Sequence, residues 1–160
     1  MIRQRAGVQT QEFSKEYGDV AINWRTDYAI RLMVEIARLG PGVRDTVKRT
    51  AESAGVPYDY ARTIARDLAA AGLLRSRRGV GGGVELGRSP EDISMLDIFN
   101  AMHEPASMSL CTHGQVCDRT AFCPVHSGVW DGLDVAIEEY LTRATLAQSV
   151  ALGFELRARA

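Results

Sequence analysis

The sequence predicts a mainly α-helical protein: a winged helix-turn-helix domain with a two-stranded wing, followed by a cysteine loop and a long dimerisation helix. Three observations carry that expectation. Two amphipathic stripes meet at Gly55, a hairpin rich in glycine and arginine follows over residues 72–86, and the three cysteines of the chain all fall within residues 111–123, ahead of a last apolar stripe.

In chain order, residues 1–19 are polar, lack any sustained apolar period, and are expected to form a disordered extension. From Ile22 the pattern changes: Tyr28, Ala29, Leu32, Met33, Ile36 and Leu39 recur at spacings of three and four, as the buried stripe of a helix does. Thr26 is the expected N-cap and Gly40-Pro41-Gly42 the stop. A second helix is expected over residues 45–54, with Val47, Thr50 and Ala51 inward and Gly55 at its end. A third, over residues 58–71, buries Ala61, Ile64, Ala65 and Leu68 and turns Asp59, Arg62, Thr63 and Arg66 outward. Helix, tight turn and helix is a weak signature alone, because any two short helices can be joined in this way.

The hairpin strengthens it. Glycine lets a backbone approach phosphate closely, and Arg75, Arg77, Arg78 and Arg88 supply counter-charge beside Gly81 and Gly82. A phosphate-cradling P-loop is excluded, because no Gly-Lys-Ser/Thr follows the glycines and a strand rather than a helix comes next. Tyr58, Tyr60, Arg62, Thr63 and Arg66 are therefore expected to face the major groove of double-stranded DNA, with the wing on phosphate and minor groove. The net charge of −1 hides an asymmetry: residues 44–88 carry nine basic and five acidic side chains, residues 89–160 four and ten.

Ser94 with Asp97 three residues on resembles a capping box, opening a helix that should run to about His103 and end before Pro105. After the cysteines, residues 127–147 resume a helical stripe through Val129, Trp130, Leu133, Ile137, Tyr140, Leu141 and Ala144. That is more apolar surface than so small a domain can cover, and a symmetric homodimer is the expected solution.

The cysteines follow the pattern C-x5-C-x5-C-x2-H, from Cys111 through Cys117 and Cys123 to His126. Polar residues interleave with them, so they are not packing residues, and an odd cluster of three is no disulfide framework. Three thiolates suit an iron-sulfur cluster, whereas structural zinc prefers closer C-x2-4-C pairs. A zinc site or a metal-free thiol redox switch is the alternative. An enzyme with a cysteine nucleophile and His113 or His126 as base is not expected, since no third orienting group or substrate pocket can be discerned. No apolar run long enough to span a bilayer and no secretory signal is present, so a cytoplasmic location without membrane association is expected.

Four segments in order, Thr26-Asp27-Tyr28-Ala29-Ile30-Arg31, Gly72-Leu73-Leu74-Arg75-Ser76 leading into Arg78-Gly79-Val80-Gly81-Gly82-Gly83, Ile93-Ser94-Met95-Leu96-Asp97-Ile98 and the three-cysteine loop, resemble the IscR/NsrR-type winged-helix iron-sulfur transcription regulators of the Rrf family. The resemblance covers residues 20–150. It implies a homodimeric regulator, generally a repressor, that binds a palindromic operator and senses nitric oxide, redox stress or iron status. It further implies one 4Fe–4S or 2Fe–2S cluster per subunit, held by Cys111, Cys117, Cys123 and a fourth ligand. That ligand is either His126, as in IscR-like members, or Asp27 from the partner subunit, as in NsrR-like nitric-oxide sensors. The expected division is residues 1–19 as extension, 20–88 as DNA-binding domain and 89–160 as cluster loop and dimerisation helix. Val20 falls where the family begins, so it is expected to mark an alternative start.

Overall fold

Helix α1 (Trp24–Arg38) is the element against which the others pack. The computed structural model describes residues 22–79, 81–104 and 120–159; the N-terminal extension, Cys111 and Cys117 lie outside the described residues. Asn23 caps α1, its side chain accepting from the Thr26 amide at 3.1 Å. The cap thus lies three residues earlier than the sequence suggested. Thr26 is fully buried and its hydroxyl donates to the Glu104 carboxylate at 3.3 Å. Asparagine serves as well as threonine at this position, and the earlier start brings Asp27 into the positive first turn. Ala29, Leu32, Met33 and Ile36 form the buried stripe as expected.

Helix α2 (Val47–Ala54) begins later than the apolar pattern suggested, because Asp45 is taken up elsewhere. Thr46 caps the helix, and Gly55 closes it in the left-handed region at φ +65°, where other residues are strained. Helix α3 (Tyr58–Ala70) follows and buries the four residues expected of it. Strands β1 (Leu74–Arg77) and β2 (Gly83–Leu86) pair antiparallel, Leu74 opposite Leu86 and Arg77 opposite Gly83. Asp45 exchanges both backbone hydrogen bonds with Val84, at 3.3 and 2.8 Å, and so fastens the wing to the α1–α2 connection. The approach requires glycine at 83, since a Cβ there would lie 2.5 Å from the Asp45 carbonyl oxygen.

A 3-10 turn (Pro90–Asp92) leads into α4 (Met95–Ala101), which has the full capping box: Ser94 Oγ accepts from the Asp97 amide and the Asp97 carboxylate accepts from the Ser94 amide. The helix stops two residues short of His103, which sits at φ +56° while its amide and that of Glu104 satisfy the Asn100 and Phe99 carbonyls.

The long helix expected over residues 127–147 forms over most of that span, with helical backbone unbroken through residues 124–143, but it ends short of Ala147. A short 3-10 turn (Thr120–Phe122) and a π-helical turn (His126–Trp130) precede α5 (Asp131–Arg143), the chain bends at Ala144, and α6 (Leu146–Ala158) departs under a second capping box of Thr145 and Gln148. Ala144 and Leu146 are drawn into a bridge beside Ser94: the Met95 amide donates to Ala144 and the Leu146 amide to Ile93, each at 2.8 Å. Helix α6 then packs on α1, with Leu146 fully buried and the Arg38 guanidinium 5.2 Å from the Phe154 ring. In contrast, α5 buries none of its residues and exposes Leu133, Val135 and Tyr140. No helix among the described residues is long and apolar enough to cross a membrane.

Replacing Ser94 by alanine should lower unfolding stability by about 1 kcal/mol in a denaturant titration, the usual cost of losing such a cap. Burial tends to raise the Asp97 carboxyl, but hydrogen bonds from the Ser94 amide and hydroxyl, together with Arg88, outweigh it and hold the pKa below its ordinary value. A carboxyl lowered on folding contributes stability that is complete above its unfolded pKa of about 3.9 and is lost as pH falls through the lower folded value. The stability difference between wild type and Asp97→Asn should therefore be constant from neutral pH down to about pH 4 and shrink with further acidification.

Candidate nucleic-acid interface and cluster ligands

Helix α3 buries one face, Ala61, Ile64, Ala65 and Leu68, against α1 and α2, which leaves the other to solvent. Tyr58 and Tyr60 are 47% and 60% exposed although large and aromatic, and Arg62, Thr63 and Arg66 are exposed beside them. All five residues singled out from sequence are thus exposed on α3. Tyr60 also meets Tyr28 of α1 edge-on at 6.0 Å between ring centroids, and Tyr28 meets Trp24 at 5.9 Å. This aromatic row was not legible in the sequence, because its members belong to different helices. Beneath it Arg25 of α1 forms an ion pair with Asp67 of α3, which Arg66 also approaches at 3.3 Å. Helix α3 is thereby held to α1 by charge as well as by its apolar face.

On the wing, Arg75, Arg77 and Arg78 are exposed and make no ion pair among the described residues. Arg75 stands across the ladder from Glu85, but Arg44 takes that carboxylate at 2.6 Å. Arg88, grouped with the wing on sequence, belongs instead to the body: it reaches Asp97 at 3.2 Å and the Asp92 carbonyl at 3.3 Å. The tip turns tightly at Gly81, with φ +71°, and Gly82, whose amide donates to Gly79 at 2.9 Å. An exposed helix face flanked by unpaired guanidinium groups can engage phosphate and base edges together.

Of the expected cluster ligands, Cys123, His126 and Asp27 lie within the described residues; Cys111 and Cys117 do not. Cys123 is half-buried and free. The Ser127 amide donates to the Cys123 carbonyl at 3.1 Å, so Cys123 and His126 occupy one turn, three residues apart. The His126 side chain is only 12% exposed; its Nε2 lies 3.4 Å from Asp131 Oδ1, and its Nδ1 is buried without a hydrogen-bond partner among the described residues. Asp27 approaches Arg31 at 2.7 Å across one turn of α1. Asp131, which orients the imidazole, was missed on sequence; the π-helical turn that brings it back over His126 has no simple periodic signal.

Glu104, the last described residue before the cysteines, is a further residue that sequence reading missed. Its carboxylate accepts from both Asn23 and Thr26 and thus ties the chain entering the loop to the first turn of α1.

Comparison with known proteins agrees with this architecture. The family model for Rrf2, described as an iron-dependent transcriptional regulator, matches residues 22–151. The chain belongs to the Rrf2 family. An HTH-type transcriptional regulator of Haemophilus influenzae is 30% identical over 123 residues, 77% of this chain and 81% of the relative. CymR, the global cysteine regulator of B. subtilis, superposes with a TM-score of 0.71 at 25% identity, covering 84% of this chain and 98% of that one. IscR of T. potens gives 0.66 at 26% identity, covering 88% and 91%. This Rrf2 member is accordingly a DNA-binding transcriptional regulator and not an enzyme, and its fold is the winged helix the sequence predicted.

Gly82 is the most constrained position of the wing tip: a Cβ there would lie 2.3 Å from the Arg77 carbonyl oxygen and 2.7 Å from that of Gly79. Gly82→Ala should open the tip without unfolding the core. DNA affinity in a titration should drop about tenfold, the equivalent of 1.4 kcal/mol, while the thermal midpoint stays within a few degrees of wild type.

Proposed function

We propose that this protein is a homodimeric repressor whose affinity for a palindromic operator is set by an iron-sulfur cluster held by Cys111, Cys117, Cys123 and His126. The observation that carries the reading is the state of His126. A buried imidazole nitrogen without a partner is costly, and it lies one turn from a free thiol. The other ring nitrogen faces a carboxylate, the arrangement that metal-ligating histidines ordinarily use to fix their orientation. Soft thiolates and an imidazole suit iron, in keeping with the iron-dependent description of the family. Asp27, the other candidate for the fourth position, also has a buried oxygen, Oδ2, without a hydrogen bond among the described residues, but that oxygen lies 2.7 Å from the Arg31 guanidinium and its side chain is 40% exposed. When bound, the cluster supplies iron sites that oxidants and nitric oxide can attack and that are lost under iron shortage.

The chain's own residues supply the rest. Helix α5, with its exposed apolar face, is the surface expected to pair with a second copy. A rearrangement of the cysteine segment would draw on Glu104 and hence on Asn23 and Thr26 at the start of α1. The Arg25–Asp67 ion pair continues that route into α3. The DNA-facing residues are Tyr58, Tyr60, Arg62, Thr63 and Arg66 on α3, with Arg75, Arg77, Arg78, Gly81 and Gly82 on the wing.

Anaerobically purified protein should show broad visible absorbance that nitric oxide or air bleaches, with DNA affinity changing in parallel. His126→Ala should weaken cluster retention, whereas Asp27→Ala should leave it intact. Colourless protein carrying zinc or three free thiols would overturn the cluster reading; loss of the cluster in Asp27→Ala alone would overturn the choice of His126. Independently, Arg78→Ala should weaken binding to every DNA sequence alike and reduce the slope of log affinity against log salt by about one.

A further inference from the structure

Four arginines of the DNA-facing surface make no ion pair among the described residues, and one of them differs from the rest. Arg75, Arg77 and Arg78 sit on the wing, but Arg62 sits on α3, and its guanidinium carbon lies 5.9 Å from the centre of the Tyr58 ring. Side chains on a helix lean toward its N-terminus, so Arg62 reaches back over Tyr58, one turn earlier, to the leading end of α3. That end of a recognition helix goes deepest into a major groove. Arg66, the other arginine of the helix, is drawn to Asp67, which is itself bound to Arg25 within the fold.

From this contrast we infer that Arg62 is the base-reading residue of the protein and that it recognises a guanine in each half-site of the operator, with Tyr58 as its positioning residue. The inference rests on α3 being the recognition helix. The chemistry is specific. A planar guanidinium matches the O6 and N7 acceptors on the major-groove edge of guanine with two parallel hydrogen bonds, a match that no other base pair offers in the same place. A cation–π contact with the ring favours some orientations of the guanidinium before DNA arrives, which reduces the entropy lost on binding. Tyr58 is 47% exposed, so its ring is available to support the guanidinium at the surface and is not a core residue. A flexible wing arginine, with no such support, is suited to phosphate or to a narrow groove but not to a single base edge.

The test uses the full-length protein, selecting operators from random double-stranded DNA and titrating the selected site and an unrelated duplex by fluorescence anisotropy. Wild type should select a palindrome with at least one invariant G·C pair per half-site. Arg62→Ala should lose about tenfold to a hundredfold affinity for that site, change affinity for the unrelated duplex by less than about threefold, and no longer prefer guanine at that one position. Arg62→Lys keeps the charge but not the planar fork and should lose the same preference, while Tyr58→Phe keeps the ring and should behave as wild type. The inference is overturned if Arg62→Ala weakens both duplexes equally with a shallower salt dependence, since that marks a phosphate contact. It is also overturned if guanine preference survives in both Arg62 variants. A wild-type protein that binds DNA but selects no sequence, or whose selection is unaltered by any change on the exposed face of α3, would instead sink the assignment of α3 as recognition helix.

Discussion

Two backbone hydrogen bonds, Met95 to Ala144 and Leu146 to Ile93, decide the shape of the C-terminal half. They pin the bend at Ala144 against the start of α4, so that a sequence able to run on as one helix is divided into two with different fates. On one side α6 lies along α1 and completes its burial through Leu146 and the Arg38–Phe154 contact. On the other side α5 is left with no buried residue. The bridge is reinforced from both directions, by the Ser94–Asp97 capping box and by that of Thr145 and Gln148. Each cap satisfies amides that the bridge would otherwise expose at a helix start. The uncovered apolar side of α5 in a single chain is therefore a consequence of how the core is closed.

The same closure fixes what stands on either side of residues 105–119, which lie outside the described residues: Glu104 before them and the turn that carries Cys123 and His126 after them. On the first flank, the Glu104 carboxylate holds the first turn of α1 through Asn23 and the buried Thr26; on the second, His126 and Asp131 hold each other on the π-helical turn before α5. Both flanks are held in the fold: one leads by way of Arg25 and Asp67 to α3, and the other leads to α5.

The DNA-binding half was legible in the sequence because its signals are local. The stripes of α1 and α3, the glycine at 55 and the glycine-rich wing each report on neighbours three or four positions away, and the burial of Ala61, Ile64, Ala65 and Leu68 follows directly. What was not legible depends on residues far apart in the chain. The cap of α1 moved from Thr26 to Asn23 because Thr26 is claimed by Glu104, 78 residues away. The start of α2 moved because Asp45 pairs with Val84 of the wing, and the helix expected over residues 127–147 stopped at Arg143 because Thr145, near the end of that span, pairs with Ser94. Arg88 left the wing for Asp97 for the same reason. In each case a residue with an acceptable local role was taken by a partner that no periodic pattern reveals. The candidate ligands Cys123 and His126 were readable from spacing, but the carboxylate that orients the imidazole was not.

A net charge of −1 looks unsuited to a protein that binds a polyanion, and the ion pairs explain why it is not. Within residues 44–88 the acids are largely spent on internal partners: Asp45 on Arg49, Asp67 on Arg25 and Arg66, and Glu85 on Arg44. Each such pair contributes little to stability where it is exposed, but it removes an acid from the field that approaching phosphate would meet. Glu85 is the clearest case. It stands directly across the ladder from Arg75 and would neutralise a wing arginine, yet Arg44 holds it from outside the hairpin. The result is that Arg62, Arg75, Arg77 and Arg78 are all exposed and unpaired among the described residues, while Asp131, Asp134, Glu138 and Glu139 collect on α5. Affinity for DNA depends on the cations that remain free at the contact surface and not on the sum over the chain. Most of the pairing acids engage arginines outside that surface, Arg25, Arg44 and Arg49, whereas Arg66 of α3 is shared with Asp67.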